Sequence, residues 1–243
     1  MTKRISCLFI GLLLIFSLAG CGSSTEQTIT SQTETTESMT PTSQITDTND
    51  ADTQKEIEND TPQEQTDTAG SNVLVVYFSR TGEQYEVGVI DKGNTAIVAD
   101  MIIGATGADS FEILPADVEY PTAYRELTDY AKQEQNENAR PAIAGEMPDL
   151  SQYDTIFIGA PVWWGDWPII CYTYFEANDF SGKTLYPFST LAGSGLSGFD
   201  RSLANAAPGA TVGTGLAVRG KDCQNNQDSV QASVNDWLSG IGY

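Results

Sequence analysis

Residues 73–82 read Val73-Leu74-Val75-Val76-Tyr77-Phe78-Ser79-Arg80-Thr81-Gly82. An unbroken apolar run of this length fits a strand covered on both faces, as in a parallel sheet, rather than a strand with one wet face. It stops at a short loop carrying hydroxyls and a glycine. Further on, Asn94-Thr95 open a stretch where Val98, Ile102 and Ala105 recur at helical spacing, widened by Ile97 and Met101. A buried strand, a polar loop and a helix therefore form the first unit.

The same alternation continues to the end of the chain. A short strand is expected at Ser110–Leu114, then an amphipathic helix from Pro121 to Asn138 with Tyr124, Leu127 and Ala131 on one side. Asp154–Gly159 is a second buried strand, followed by a helix over Pro168–Ala177. A strand at Leu185–Phe188, a helix over Gly195–Ala206, a strand over Thr211–Val218 and a closing helix over Asn226–Leu238 complete the series. Strands and helices that alternate in this way give an α/β doubly wound parallel sheet with helices on both faces. Ligands on such sheets bind beyond the carboxyl ends of the strands, where the strand order reverses.

Three loops fall at that edge. The first holds Ser79, Thr81 and Gly82 and ends at Asn94-Thr95; its hydroxyls, glycine and helix start suit a phosphate, although a turn with a helix cap reads the same way. It lacks the glycine pattern of dinucleotide sites and the lysine of a P-loop. Glu83–Gly93 splits this loop; Val87, Val89 and Ile90 alternate with smaller or polar neighbours and Asp91-Lys92-Gly93 marks a turn, so a short extended excursion is expected. The second loop, Ala160-Pro161-Val162-Trp163-Trp164-Gly165-Asp166-Trp167-Pro168, has three tryptophans in five residues, more aromatic surface than a loop readily buries. The third, Ser189-Thr190-Leu191-Ala192-Gly193-Ser194-Gly195-Leu196, is small and hydroxylated and carries no aromatic residue.

The beginning of the chain concerns its address. Lys3 and Arg4 precede an apolar run, Cys7–Leu18, with the layout of a secretory signal. Leu18-Ala19-Gly20-Cys21 resembles the bacterial lipobox, which implies cleavage after residue 20 and lipid on Cys21. The expected division is a signal at 1–20, a lipidated polar tether at 21–72 and one domain at 73–243. The tether has too little apolar surface to order itself and a random-coil reach of roughly 40 Å. The net charge of −21, much of it in the tether, argues against a nucleic-acid partner. With no histidine and no C-x-x-C spacing, a zinc site or a histidine-based triad is not expected. Cys171 and Cys223 would meet oxidising conditions outside the membrane, where a disulfide between them is permitted.

Taken in order, Ser79-Arg80-Thr81-Gly82 with Asn94-Thr95, the segment Ile156–Pro168 and the segment Asp179–Thr190 with its following Ala192-Gly193-Ser194-Gly195 resemble the flavodoxin-like family, of the flavodoxin-4 type. The resemblance covers nearly all of Val73–Tyr243. It implies a five-stranded sheet in 2-1-3-4-5 order that binds FMN without a covalent link. By position, Ser79, Arg80, Thr81, Gly82, Asn94 and Thr95 would cradle the phosphate. Pro161, Val162, Trp163, Trp164 and Gly165 would flank the isoalloxazine, with Trp163 or Trp164 stacked on it. Ser189, Thr190, Gly193, Ser194 and Gly195 would line its other side and polar edge. Many flavodoxins place a tyrosine in the third loop; without one, a more open second flavin face is expected. The Glu83–Gly93 insertion is the other departure from the simplest family pattern, and a lid over the FMN, a docking surface and a neutral surface insertion are the readings open to it.

The functional expectation is a lipid-anchored electron-transfer flavoprotein on the extracytoplasmic face of the cell membrane, working between a redox donor and an acceptor that the sequence does not identify. An FMN-dependent reductase of quinones or other small molecules, and a surface binding module without cofactor, are the competing expectations.

Overall fold

The computed structural model describes residues 72–243. The signal-like run, Cys21 and the tether lie outside the described residues. Strand β1 (Val73–Tyr77) leads into a hairpin of β2 (Gly82–Gln84) and β3 (Gly88–Ile90), then helix α1 (Asn94–Thr106) and strand β4 (Asp109–Glu112). Helix α2 (Tyr124–Glu137), a 3-10 turn at Leu150–Gln152, strand β5 (Thr155–Pro161), helix α3 (Ile169–Ala177), strand β6 (Thr184–Leu191) and helix α4 (Phe199–Ala206) follow. Strands β7 (Thr211–Val212) and β8 (Leu216–Arg219) and helices α5 (Gly220–Asn225) and α6 (Gln227–Ile241) close the chain.

The main sheet runs β4-β1-β5-β6-β7, with β8 also paired to β6, and every pairing in it is parallel. Strands β7 and β8 share the fifth position: β7 pairs with Thr184–Leu185 and β8 with Phe188–Leu191. The 2-1-3-4-5 order is therefore present, with its last strand broken. At the break the chain passes close over β6: a methyl group on Gly213 would lie 2.3 Å from the Tyr186 ring, so the position requires glycine.

Alternate residues of the central strands supply two cores. Leu74, Val76, Ile156 and Ile158 point to the face packed by α3 and α4. Val73, Val75 and Phe157 point to the face packed by α1, α5 and α6. Leu74, Val75 and Val76 have no exposed surface, and burying each such side chain contributes about 1.5–3 kcal/mol.

This layering overturns the disulfide expectation. Cys171 sits in one core and Cys223 in the other, with the sheet between them, and both are free thiols. A bridge needs Cα atoms within about 7 Å. Burial pushes the Cys171 thiol well above its usual range and the Cys223 thiol up to about 12, so neither is a reactive thiolate.

Candidate functional site

The carboxyl ends of β1, β5 and β6 open on a cavity of about 360 Å³, within the range of small-molecule sites. The first loop forms one end. A methyl group on Gly93 would lie 2.1 Å from Ser79 Oγ and 2.6 Å from the Arg80 carbonyl oxygen, so the turn after β1 and the start of α1 are in van der Waals contact despite the eleven residues between them. That adjacency is what a split loop requires. Ser79 Oγ accepts from the Ala96 amide at 3.1 Å and thus caps α1 from another segment. The helix geometry leaves the amides of Asn94 and Thr95 without intrahelical acceptors, at the positive end of its dipole.

Neighbouring elements fix this end. Gln224 Nε2, from α5, donates to Asn94 Oδ1 at 2.8 Å and to the Lys92 carbonyl at 2.9 Å. With its oxygen so held, the Asn94 side chain offers its NH2 group toward Gly220, the first residue of α5 and a part of the cavity wall. Thr95 Oγ1 and Thr190 Oγ1 lie 2.7 Å apart, buried, and tie the first loop to the third.

In the second loop, Trp163 and Asp166 exchange backbone hydrogen bonds of 3.0 and 3.1 Å across a tight turn. Its central residues, Trp164 and Gly165, have φ of 51° and 79°. Positive φ is ordinary for glycine and costly for a bulky residue such as tryptophan. The strain is held by a bond from Trp164 Nε1 to the Thr128 carbonyl at 2.8 Å and by Lys132 Nζ, 5.1 Å from the ring centre. Trp164 remains 54% exposed and lines the cavity. Trp163 also lines it, packed edge to face on Phe78 and Tyr120. Trp167 is core, stacked on Phe199 with ring centres 3.8 Å apart.

Of the residues singled out in the sequence, Ser79, Arg80, Asn94, Thr95, Pro161, Val162, Trp163, Trp164 and Thr190 line the cavity. Thr81, Gly82, Gly165, Ser189, Gly193, Ser194 and Gly195 do not. Gly82 turns away toward Thr122, whose carbonyl oxygen a methyl group there would approach to 2.8 Å. Ser189 is fully buried and donates to the Gly195 carbonyl at 3.3 Å. Arg80 borders the cavity, but its guanidinium serves the fold: Nη1 donates to the Glu83 carbonyl, and Nη2 to the Pro121 and Thr122 carbonyls. Burial lowers its pKa, opposed by the nearby Glu83 carboxylate.

One wall of the cavity holds none of the residues singled out in the sequence as cofactor-binding. It consists of Gln84 and Tyr85 from the hairpin and Tyr124, Leu127, Thr128 and Ala131 from α2. The stripe Tyr124, Leu127, Ala131 is visible in the sequence as one helix side, but nothing local says that it faces a cavity. Among the described residues that line the cavity there is no carboxylate.

A family model described as flavodoxin, of the flavodoxin-4 type, matches residues 72–238. The chain belongs to the flavodoxin family. It is similar to a Bacteroides uniformis protein assigned as a flavoprotein, with 31% identity and a TM-score of 0.55 over 68% of this chain and 99% of that one. A second such protein, from Bacteroides eggerthii, is 28% identical with a TM-score of 0.56, covering 70% and 98% of the two chains. No curated protein matches the chain.

Proposed function

We propose that residues 73–243 form an FMN-binding electron-transfer domain, carried on the extracytoplasmic face of the cell membrane by lipid on Cys21 and the tether at 21–72. One observation carries the cofactor reading. A single cavity joins the amide-rich start of α1, with Asn94 and Thr95, to a wall of flat aromatic side chains that includes Trp164. The two ends suit the two ends of FMN, an anionic phosphate and a planar ring.

The donor set fits. Asn94 NH2, the Thr95 and Thr190 hydroxyls and the free amides of α1 would hold the phosphate and adjoining polar atoms; Val162, Trp163 and Trp164 would flank the ring. When bound, FMN supplies the redox chemistry, and the protein supplies position and polarity. The chain has no histidine, and among the described residues no carboxylate lines the cavity, so that wall offers no strong general base. Electron exchange with a donor and an acceptor requires no such base.

Purified domain should carry, or take up on addition, the visible absorption of a bound flavin. Trp164→Ala should weaken FMN binding by ~1–3 kcal/mol, by analogy with bases stacked on aromatic platforms. A domain that stays colourless with excess FMN would instead favour a binding module without cofactor, and rapid quinone turnover with a nicotinamide donor would favour a reductase. For the anchor, Cys21→Ser should move the protein from the membrane fraction to the soluble one; an unchanged distribution would remove lipid attachment from the account.

A further inference from the structure

The hairpin β2–β3 interrupts the phosphate loop and places Tyr85 at its tip. It is not a loose flap. Glu83 N donates to the Thr122 carbonyl at 2.8 Å, and Glu83 Oε2 accepts from the Tyr124 amide at 2.8 Å, capping α2. The Arg80 guanidinium clamps the same two segments through Glu83, Pro121 and Thr122. The Tyr85 ring is thereby set 5.5 Å from that of Tyr124, the planes inclined by 32°, and both line the cavity. Tyr85 is nevertheless 55% exposed, a large apolar surface held at the mouth of a site. The third loop contributes only Thr190, Leu191 and Ala192 there, none of them aromatic.

We infer that Tyr85, backed by Tyr124, is a flavin-covering residue, and that the hairpin insertion exists to bring this aromatic cover to the cavity. The assignment rests on the FMN proposal above. Exposure in the ligand-free domain fits this role, since the ring's apolar surface leaves water when a second flat ring lies against it. The bracing by Arg80 and Glu83 prepays the ordering of the hairpin, so little of the stacking energy is spent on immobilising it.

The test compares the parent with Tyr85→Ala and Tyr85→Phe in FMN titrations, and follows the Tyr85 ring protons by NMR as FMN is added. Tyr85→Ala should bind FMN about tenfold or more weakly, chiefly through faster release, while Tyr85→Phe should stay within about twofold of the parent. The Tyr85 ring resonances should shift on FMN addition. Melting of the FMN-free variants should match the parent, because a half-exposed tip residue contributes little to the fold. If the parent binds FMN and Tyr85→Ala binds it equally well, with no shift of the Tyr85 resonances, the inference fails and the FMN reading stands. If the parent itself binds no FMN, it is the FMN reading that falls.

Discussion

Glu134→Gln should raise the melting temperature of the domain by roughly 6–12 °C at pH 8 and leave it nearly unchanged near pH 4.5. Glu134 lies in α2, 5% exposed, with Oε2 lacking any hydrogen-bond partner and Oε1 reached only by the Tyr120 hydroxyl at 3.4 Å. Burial raises its pKa to about 7 from an ordinary 4.5, and the Tyr120 hydrogen bond opposes the shift only in part. The folded state therefore keeps the proton in a range where the unfolded chain has released it. Stability linked to this group is intact below about pH 4.5 and is lost as pH rises toward about 7, after which the loss is constant. At 1.36 kcal/mol per pH unit the full loss is about 3 kcal/mol, and a domain of this size shifts by ~2–4 °C per kcal/mol. Gln removes the titration while keeping shape. Thermal melts of parent and variant from pH 4.5 to 8.5 check this; a difference that does not grow with pH would mean that Glu134 is already ionised or hydrated in the folded domain.

Gly93→Ala should abolish most FMN binding while the domain still folds. The φ of Gly93 is −63°, which alanine adopts without strain, so the effect comes from contact alone. The new methyl meets Ser79 Oγ at 2.1 Å and the Arg80 carbonyl at 2.6 Å; the serine can rotate, but the backbone oxygen must move. Forcing a methyl group into packed structure costs ~1–3 kcal/mol. Moving the turn away from the start of α1 also breaks the Ser79 cap on Ala96 and spreads the phosphate donors. The expected loss of FMN affinity is tenfold or more, each tenfold being about 1.4 kcal/mol. Calorimetric titration reads the affinity, and circular dichroism confirms the fold. Retained affinity would place the phosphate away from this turn.

The buried runs at Val73–Phe78 and Asp154–Gly159 carried the fold in plain sight, because strands covered on both faces leave no room for polar residues. What the sequence hid was decided by contacts between distant segments. The helix expected from Pro121 begins at Tyr124, since Arg80 and Glu83 bind the carbonyls of Pro121 and Thr122 and extend that turn outward. The helix expected from Gly195 begins at Phe199, because Gly195, Ser197 and Gly198 all take positive φ. Helix α5 is too short for its own period to show. Glu134 continues the stripe of Leu127 and Ala131, yet its residue type points to solvent, and only the fold reveals that the carboxyl is buried.

At the site, loop position pointed to Ser79, Asn94, Thr95 and Thr190, which line the cavity, but equally to Thr81, Gly82, Ser189, Gly193, Ser194 and Gly195, which do not, and it did not point to Tyr85 or Tyr124. Tyr85 lies in an insertion whose alternation suggested an extended excursion, with a lid over the FMN as one of three readings and no residue singled out for it. The antiparallel pairing of Gly82 with Ile90 turns that excursion into a hairpin aimed at α2.

The account depends most on one cavity gripping a phosphate at the α1 end and a flat ring at the Trp164 end. Parallel titrations of the domain with FMN and with riboflavin, which has the same ring and no phosphate, test it most directly. The account predicts that FMN binds one to one and riboflavin binds at least tenfold more weakly. Equal affinity for the two, or no binding of either, would contradict it.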